Sequence, residues 1–134
     1  QTDAAEMSVY VNQDYAQPTA HLRRYSMRLD GFASLRCGYA GGHMITKPLV
    51  FKGRQMSLNF STSAAGGVKV GIEDVDGNAI PGFSIEDCQM QIGNEIDRKV
   101  TWKSGTDVSS LAGKPVRLRF SMKDADIFSF QFTP

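Results

Sequence analysis

The sequence lacks the features that mark a membrane-spanning or a nucleic-acid-binding protein. No apolar run approaches the roughly 20 residues that a transmembrane helix requires. Fifteen Lys and Arg side chains nearly balance 14 Asp and Glu, which leaves a formal charge of +1. Without a basic stripe to neutralise phosphates, we do not expect nucleic acid as the main partner. Gln1–Asp3 show no basic or apolar leader, and a start without Met suggests a piece of a longer protein.

Cysteine is also scarce, because only Cys37 and Cys88 are present. They could form a disulfide in an exporting compartment or remain two small buried thiols, and spacing alone leaves both open. A chain of 134 residues can bury roughly two-thirds of its unfolded surface without metal or disulfide. We therefore expect one domain over 1–134, in which 1–20 supply a strand and a loop that could link to a missing upstream domain.

What the sequence does contain is alternation of apolar and polar residues with a period of two. Each such run has one apolar face, as a strand half-buried in a sandwich needs. The clearest apolar sets are Met56/Leu58/Phe60, Val68/Val70/Ile72, Val116/Leu118/Phe120/Met122 and Phe128/Phe130/Phe132. About nine or ten short strands at this spacing predict an all-β fold, a two-sheet antiparallel β-sandwich resembling a jelly roll.

Turn signals separate these runs, and helical signals are slight. Asp76-Gly77 fits a tight hairpin turn, and Gly41-Gly42 and Gly66-Gly67 are interpreted as further turns. Ser84 with Asp87 resembles a capping pair, and residues 107–113 resemble a capped single turn ending in glycine. We expect at most short helical turns.

Motifs for catalysis and metal binding mostly fail. Asp74–Asn78 resembles the start of a calcium loop, but Gly77 comes too early and position twelve is Ile85, so a hairpin turn is the better interpretation. Cys-x-x-Cys, His-Glu-x-x-His and phosphate-binding glycine loops are missing, and no nucleophile-elbow pattern supports a catalytic triad. Asp124 and Asp126 could ligate a structural Ca²⁺, and otherwise we expect no cofactor.

Paired carboxylates could serve glycosidase chemistry, but every acidic candidate lies beside a turn or on a polar strand face, where solvated carboxylates are ordinary. The candidates are Asp30, Glu73, Asp87, Glu95, Asp97, Asp124 and Asp126.

Aromatic side chains that stack on sugar rings are the other functional candidates. Trp102 ends an apolar run and is interpreted as core. Tyr39 and His43 flank Gly41-Gly42, a loop setting where ligand contacts concentrate. With Arg36 they form the predicted ligand-binding set.

Several segments together resemble one family: the C-terminal β-sandwich of secreted bacterial glycoside-hydrolase-like proteins whose N-terminal part is a five-bladed propeller. The resemblance covers about residues 21–132. The segments that carry it are Arg24–Phe32, Thr46–Leu49, Leu58–Gly66, Asp76–Ser84 and Leu111–Phe120. Asn94 departs from the family pattern, which prefers Asp there.

The resemblance implies a non-catalytic, carbohydrate-binding-module-like accessory domain. It would be extracellular or periplasmic, and its partners would be a polysaccharide or oligosaccharide and the upstream catalytic domain of the same chain. The alternative is a purely structural domain that packs against the propeller. A small hydrolase is the third hypothesis, and the one that the motifs support least.

Overall fold

The structure, a computed structural model, describes residues 6–134. The predicted absence of a leader at Gln1–Asp3 therefore lies outside the described residues. The chain divides into two compact units, Gln1–Ala33 and Ser34–Pro134. Whether 1–134 form a single domain stays a prediction.

The first unit contains a two-stranded antiparallel hairpin, β1 (Glu6–Gln13) and β2 (His21–Arg28). Val9 pairs with Tyr25, and Val11 pairs with Arg23. The side chains of these two pairs lie on one face of the hairpin, because cross-strand partners point to the same face. Val9, Val11 and Tyr25 are 44%, 42% and 48% exposed. This face therefore exposes three apolar side chains beside Arg23.

The second unit is a curled five-stranded antiparallel sheet. Its strands are β3 (Leu35–Cys37), β4 (Gly42–Ile45), β5 (Gln55–Glu73), β6 (Asn94–Lys99) and β7 (Arg117–Thr133). The order across the sheet is β3-β7-β5-β6, and β4 also pairs with β7. The prediction of an all-β, antiparallel, sandwich-like fold with two sheets and at most short helical turns is confirmed.

The number of strands was predicted wrongly, because residues 6–134 contain seven strands rather than nine or ten. β5 and β7 run for 19 and 17 residues and absorb several segments that the sequence divides. Gly66-Gly67 forms no hairpin turn but lies within β5, where the pairing register shifts. A β-bulge inserts extra residues while the strand continues, so glycine here marks a bulge.

The core of this unit contains the alternating sets that the sequence predicts. Val68, Val70 and Ile72 are fully buried, and so are Met56, Leu58, Phe60, Leu118 and Phe120. Trp102 is 1% exposed; its indole N–H donates to the Val70 carbonyl at 2.8 Å, and its ring meets Phe83 edge-on. The interpretation of Trp102 as core is confirmed.

Phe128 is the exception among the predicted core residues. Phe60 pairs with Ile127 but Asn59 pairs with Ser129, so Phe128 occupies a bulge and is only half-buried, outside the core cluster. Phe130 pairs with Leu58 and packs against the core as predicted. The extra residue shifts the alternation by one position, which a period-two pattern does not reveal.

Two predicted turns are present as expected. Gly77 has a φ of +90°, and the Asp74 carboxylate accepts hydrogen bonds from the Asp76 and Asn78 backbone N–H groups, each at 2.9 Å. Hydrogen bonds from Asn78 lower the pKa of Asp74. Ser109–Leu111 form one 3-10 turn with Val108 as its N-cap, and the Asp107 carboxylate just before it accepts from the Ser109 N–H at 2.8 Å.

Both cysteines are free thiols. Cys37 is half-buried and donates to the Met122 carbonyl at 3.4 Å. Cys88 is 3% exposed, and its sulfur accepts from the Val70 N–H at 3.2 Å. Burial raises the pKa of the Cys88 thiol. Of the two alternatives left open by the sequence, the structure shows the thiols.

Candidate functional site

β3 and β4 form two halves of one edge strand beside β7. Cys37 stands opposite Ala125 and Gly42 stands opposite Met122, so residues 38–41 have only 123 and 124 across from them. The surplus residues form a short protruding loop. Gly41 closes the loop with a φ of +81°, a conformation that favours glycine.

The other neighbour of β7 carries an insertion at the same level. Thr62 pairs with Ala125 and Gly67 pairs with Lys123, which leaves residues 63–66 opposite Asp124. Asp124 has a φ of +41°, and its N–H donates to the Gly38 carbonyl at 3.0 Å. A Cβ on Gly66 would lie 2.4 Å from the Asp124 carbonyl oxygen, so the close approach of β5 requires glycine. Irregularities in three adjacent strands thus coincide around Asp124.

Tyr39 lies in the protruding loop and is 66% exposed. The Lys123 ammonium sits 4.3 Å from the centre of its ring, within the range of a cation–π interaction. One face of the ring is therefore held by Lys123. The remaining exposed ring area is the surface on which a sugar could stack.

Arg36 and His43 are both exposed and both line a cavity of about 250 Å³ at this edge. Cys37, Gly42 and Met122 complete much of its wall. The structure thus brings two of the three predicted ligand residues to one cavity. Tyr39 does not line that cavity but lies in the loop between them.

A row of polar side chains crosses the sheet beside this loop, and sequence reasoning missed it. Ser121 on β7 pairs with His43 on β4 at one side and with Lys69 on β5 at the other. Cross-strand partners point to the same face, so the three side chains form a line across the strands. Together with Lys123 and Tyr39 they form a surface that we call the basic strip.

Two glycines flank Lys69 on the same face of β5. A Cβ on Gly67 would meet the Met90 sulfur at 2.4 Å, and a Cβ on Gly71 would meet the Ile85 side chain at 3.0 Å. Met90 and Ile85 therefore lie over the two glycines on either side of Lys69. Lys69 is half-buried between these two apolar side chains. Its methylene groups can pack against them while its ammonium group reaches solvent.

The two aspartates predicted to hold calcium lie on β7 near this loop. The Asp126 carboxylate accepts from the Ser34 hydroxyl at 2.7 Å. Between residues 6 and 134, no group of three or more His, Cys, Asp or Glu side chains is placed to hold a metal ion. Ca²⁺ takes six to eight oxygen ligands, so this geometry adds no support for calcium, and that role stays a prediction.

Several carboxylates considered for glycosidase chemistry are engaged with basic side chains. Glu73 is 5% exposed and forms an ion pair with Arg119, while Glu95 pairs with Arg98. Asp87 accepts from the Ser84 hydroxyl at 2.9 Å, the predicted capping contact, and pairs with Lys103. These hydrogen bonds, with Ser84 the stronger influence, lower the pKa of Asp87.

Glu73 also borders a smaller cavity of about 170 Å³, together with Gly71, Ile85 and Arg119. Its second carboxylate oxygen is buried and has no hydrogen-bond partner. Because that oxygen is sealed from solvent, the cavity offers a ligand no access to it.

Comparison with protein-family models, with curated proteins and with solved structures finds no match to this chain. Within residues 6–134, no helix is long and apolar enough to cross a membrane.

Proposed function

We propose that this chain is a non-catalytic accessory module of a secreted glycoside hydrolase, and that it binds or positions polysaccharide. The observation that carries the proposal is the exposed Tyr39 ring, fixed on one face by Lys123 in a loop whose neighbours Arg36 and His43 also face solvent. Aromatic rings beside hydrogen-bonding groups suit sugars, which combine apolar ring faces with hydroxyls. The family resemblance of residues 21–132 points to the same role.

An open surface with one stacking ring supports only weak binding, on the order of millimolar to micromolar, or roughly −4 to −8 kcal/mol. Such affinity is useful when a tethered catalytic domain supplies avidity. The module itself is proposed to hydrolyse no glycosidic bond. Turnover of aryl glycosides by this chain, abolished by one Asp or Glu substitution, would contradict that part of the proposal.

Affinity electrophoresis against a panel of soluble polysaccharides tests the binding role. Tyr39→Ala should weaken binding about two- to tenfold, because an aromatic contact contributes about 0.5–1.5 kcal/mol, and Tyr39→Phe should retain most of the affinity. Tyr15→Ala is the matched control, since Tyr15 is 81% exposed in the loop after β1. Binding that survives Tyr39→Ala and His43→Ala unchanged would exclude this site.

The second candidate is a structural domain that packs against a catalytic propeller. The exposed apolar side chains Val9, Val11 and Tyr25 of the β1–β2 hairpin favour it, because a packing partner would withdraw them from water. Failure to bind any polysaccharide, with the fold intact, would favour this structural role.

A further inference from the structure

We infer that the basic strip selects an anionic polysaccharide, one whose sugars carry carboxylate or sulfate groups. This inference rests on the proposed polysaccharide-binding function and specifies its ligand class. It follows from the register of three strands, which brings Lys69, Ser121 and His43 into one line beside Lys123 and Tyr39.

Four of the twelve Lys and Arg side chains of residues 34–134 form an ion pair with a carboxylate, and the two lysines of the strip are not among the four. Arg54, Arg98, Lys103 and Arg119 each form an ion pair with a carboxylate. Across the described part of the chain, Lys69 and Lys123 form no such pair, and the Lys123 ammonium contacts the Tyr39 ring. Their positive charges are therefore left for an external anion.

The acidic groups nearest along β7 do not remove this charge. Asp126 stands opposite Arg36 and accepts from the Ser34 hydroxyl. Asp124 lies at the bulge, one residue beyond Lys123. The strip itself contains two cationic side chains and no acidic one.

The remaining groups of the strip suit a sugar rather than a bare anion. The Ser121 hydroxyl can donate and accept, and the His43 imidazole offers one nitrogen of each kind when neutral. The Tyr39 ring supplies an apolar face at one end. Adjacent strands lie about 4.8 Å apart, so successive groups along the row present repeated contacts to an extended chain.

The strip suits nucleic acid less well. Tyr39 is its single aromatic residue, whereas single-stranded nucleic acid binds to series of aromatic platforms within basic grooves. The net charge of the whole chain is only +1. Nucleic acid of equal charge is therefore a competitor in the test.

The experiment compares ligands that share a backbone and differ in charge. The full chain is titrated at low salt with polygalacturonate and with its methyl ester, and separately with dextran sulfate and with dextran. We expect tighter binding to the charged member of at least one pair. We also expect that binding to fall as ionic strength rises, because exposed charges are screened over about 10 Å at 0.1 M salt.

Variants locate the effect. Lys69→Ala and Lys123→Ala should each weaken binding to the charged ligand by about two- to fivefold, the range for exposed ion pairs. Lys52→Ala and Lys114→Ala, also made singly, each remove one charge from an exposed loop lysine outside the strip and should leave affinity unchanged. Circular dichroism confirms that each variant is folded.

The possible outcomes separate this inference from the function on which it rests. One outcome is that charged and neutral ligands bind equally well and that Tyr39→Ala weakens both. This outcome would overturn the preference for anions, but the proposed polysaccharide-binding function would stand. Absence of binding to every polysaccharide would overturn both. Equal losses of affinity in the strip variants and in the control variants would reduce the effect to general charge attraction and overturn the inference. Binding of single-stranded DNA as tight as that of the polysaccharide would overturn it as well.

Discussion

Two phenylalanines of the same strand provide the sharpest test of the register of β7. Phe120 is fully buried, pairs with Val70 and contacts Phe130 at a ring separation of 5.7 Å. Phe128 occupies the bulge and is half-buried. Both are Phe→Ala changes in one strand, so differences in strand propensity largely cancel between them.

Phe120→Ala should lower the free energy of unfolding by about 3–5 kcal/mol, the usual cost of a core Phe truncation. Phe128→Ala should cost less, about 1–2 kcal/mol, because Phe128 keeps part of its surface in solvent and complete burial of such a side chain contributes about 1.5–3 kcal/mol. Urea unfolding can follow both, because Trp102 is the only tryptophan and lies in the core of this unit.

Equal costs for the two substitutions would refute the assigned bulge. A larger cost for Phe128→Ala would show that the register of the C-terminal half of β7 is wrong by one residue. If Phe120→Ala does not fold, Phe120→Leu supplies the same comparison at a smaller cost.

Two further predictions concern titratable groups. Hydrogen bonds from Ser109 and Arg54 lower the pKa of Asp107 from 3.8 to about 2. The contribution of the ionised Asp107 carboxylate to stability is therefore present above about pH 4 and lost as the pH falls through about 2. Asp107→Asn should make the urea midpoint of unfolding depend less steeply on pH in this range, and an unchanged slope would contradict this prediction. Cys88 is buried and its pKa is raised. In the native protein, iodoacetamide at pH 8 should therefore alkylate Cys37 about tenfold faster than Cys88. Peptide mass spectrometry measures the two rates, and faster modification of Cys88 would show that its surroundings open readily.

The sequence predicts the core well where alternation is uninterrupted. Val68, Val70 and Ile72 are buried as predicted, because one apolar face of a strand must leave water. The prediction fails where residues are inserted, at Gly66-Gly67 and at Phe128. A bulge changes which face a side chain takes without changing the composition around it, so a local pattern does not reveal it.

The candidate site is predictable only in part, for a related reason. The Gly41-Gly42 pair marks a loop, and that signal led to Tyr39 and His43. Lys69 and Lys123 each look like an ordinary polar residue of an alternating strand. Their association depends on how β4, β7 and β5 align, and that alignment joins segments far apart in the chain.

The pairing of β5 with β7 has a consequence for how this unit folds. The ladder joins Glu73 to Arg117 at its near end and Gln55 to Thr133 at its far end, separations of 117 − 73 = 44 and 133 − 55 = 78 residues. Even the nearest pair must therefore close a long loop before it forms, at an entropic cost that precedes any gain from the core. Topologies dominated by such distant pairs fold in milliseconds to seconds rather than microseconds. During synthesis, the core stays open until β7 has left the ribosome. Until then β5 presents an apolar face and unpaired backbone groups, the kind of surface that chaperones shield.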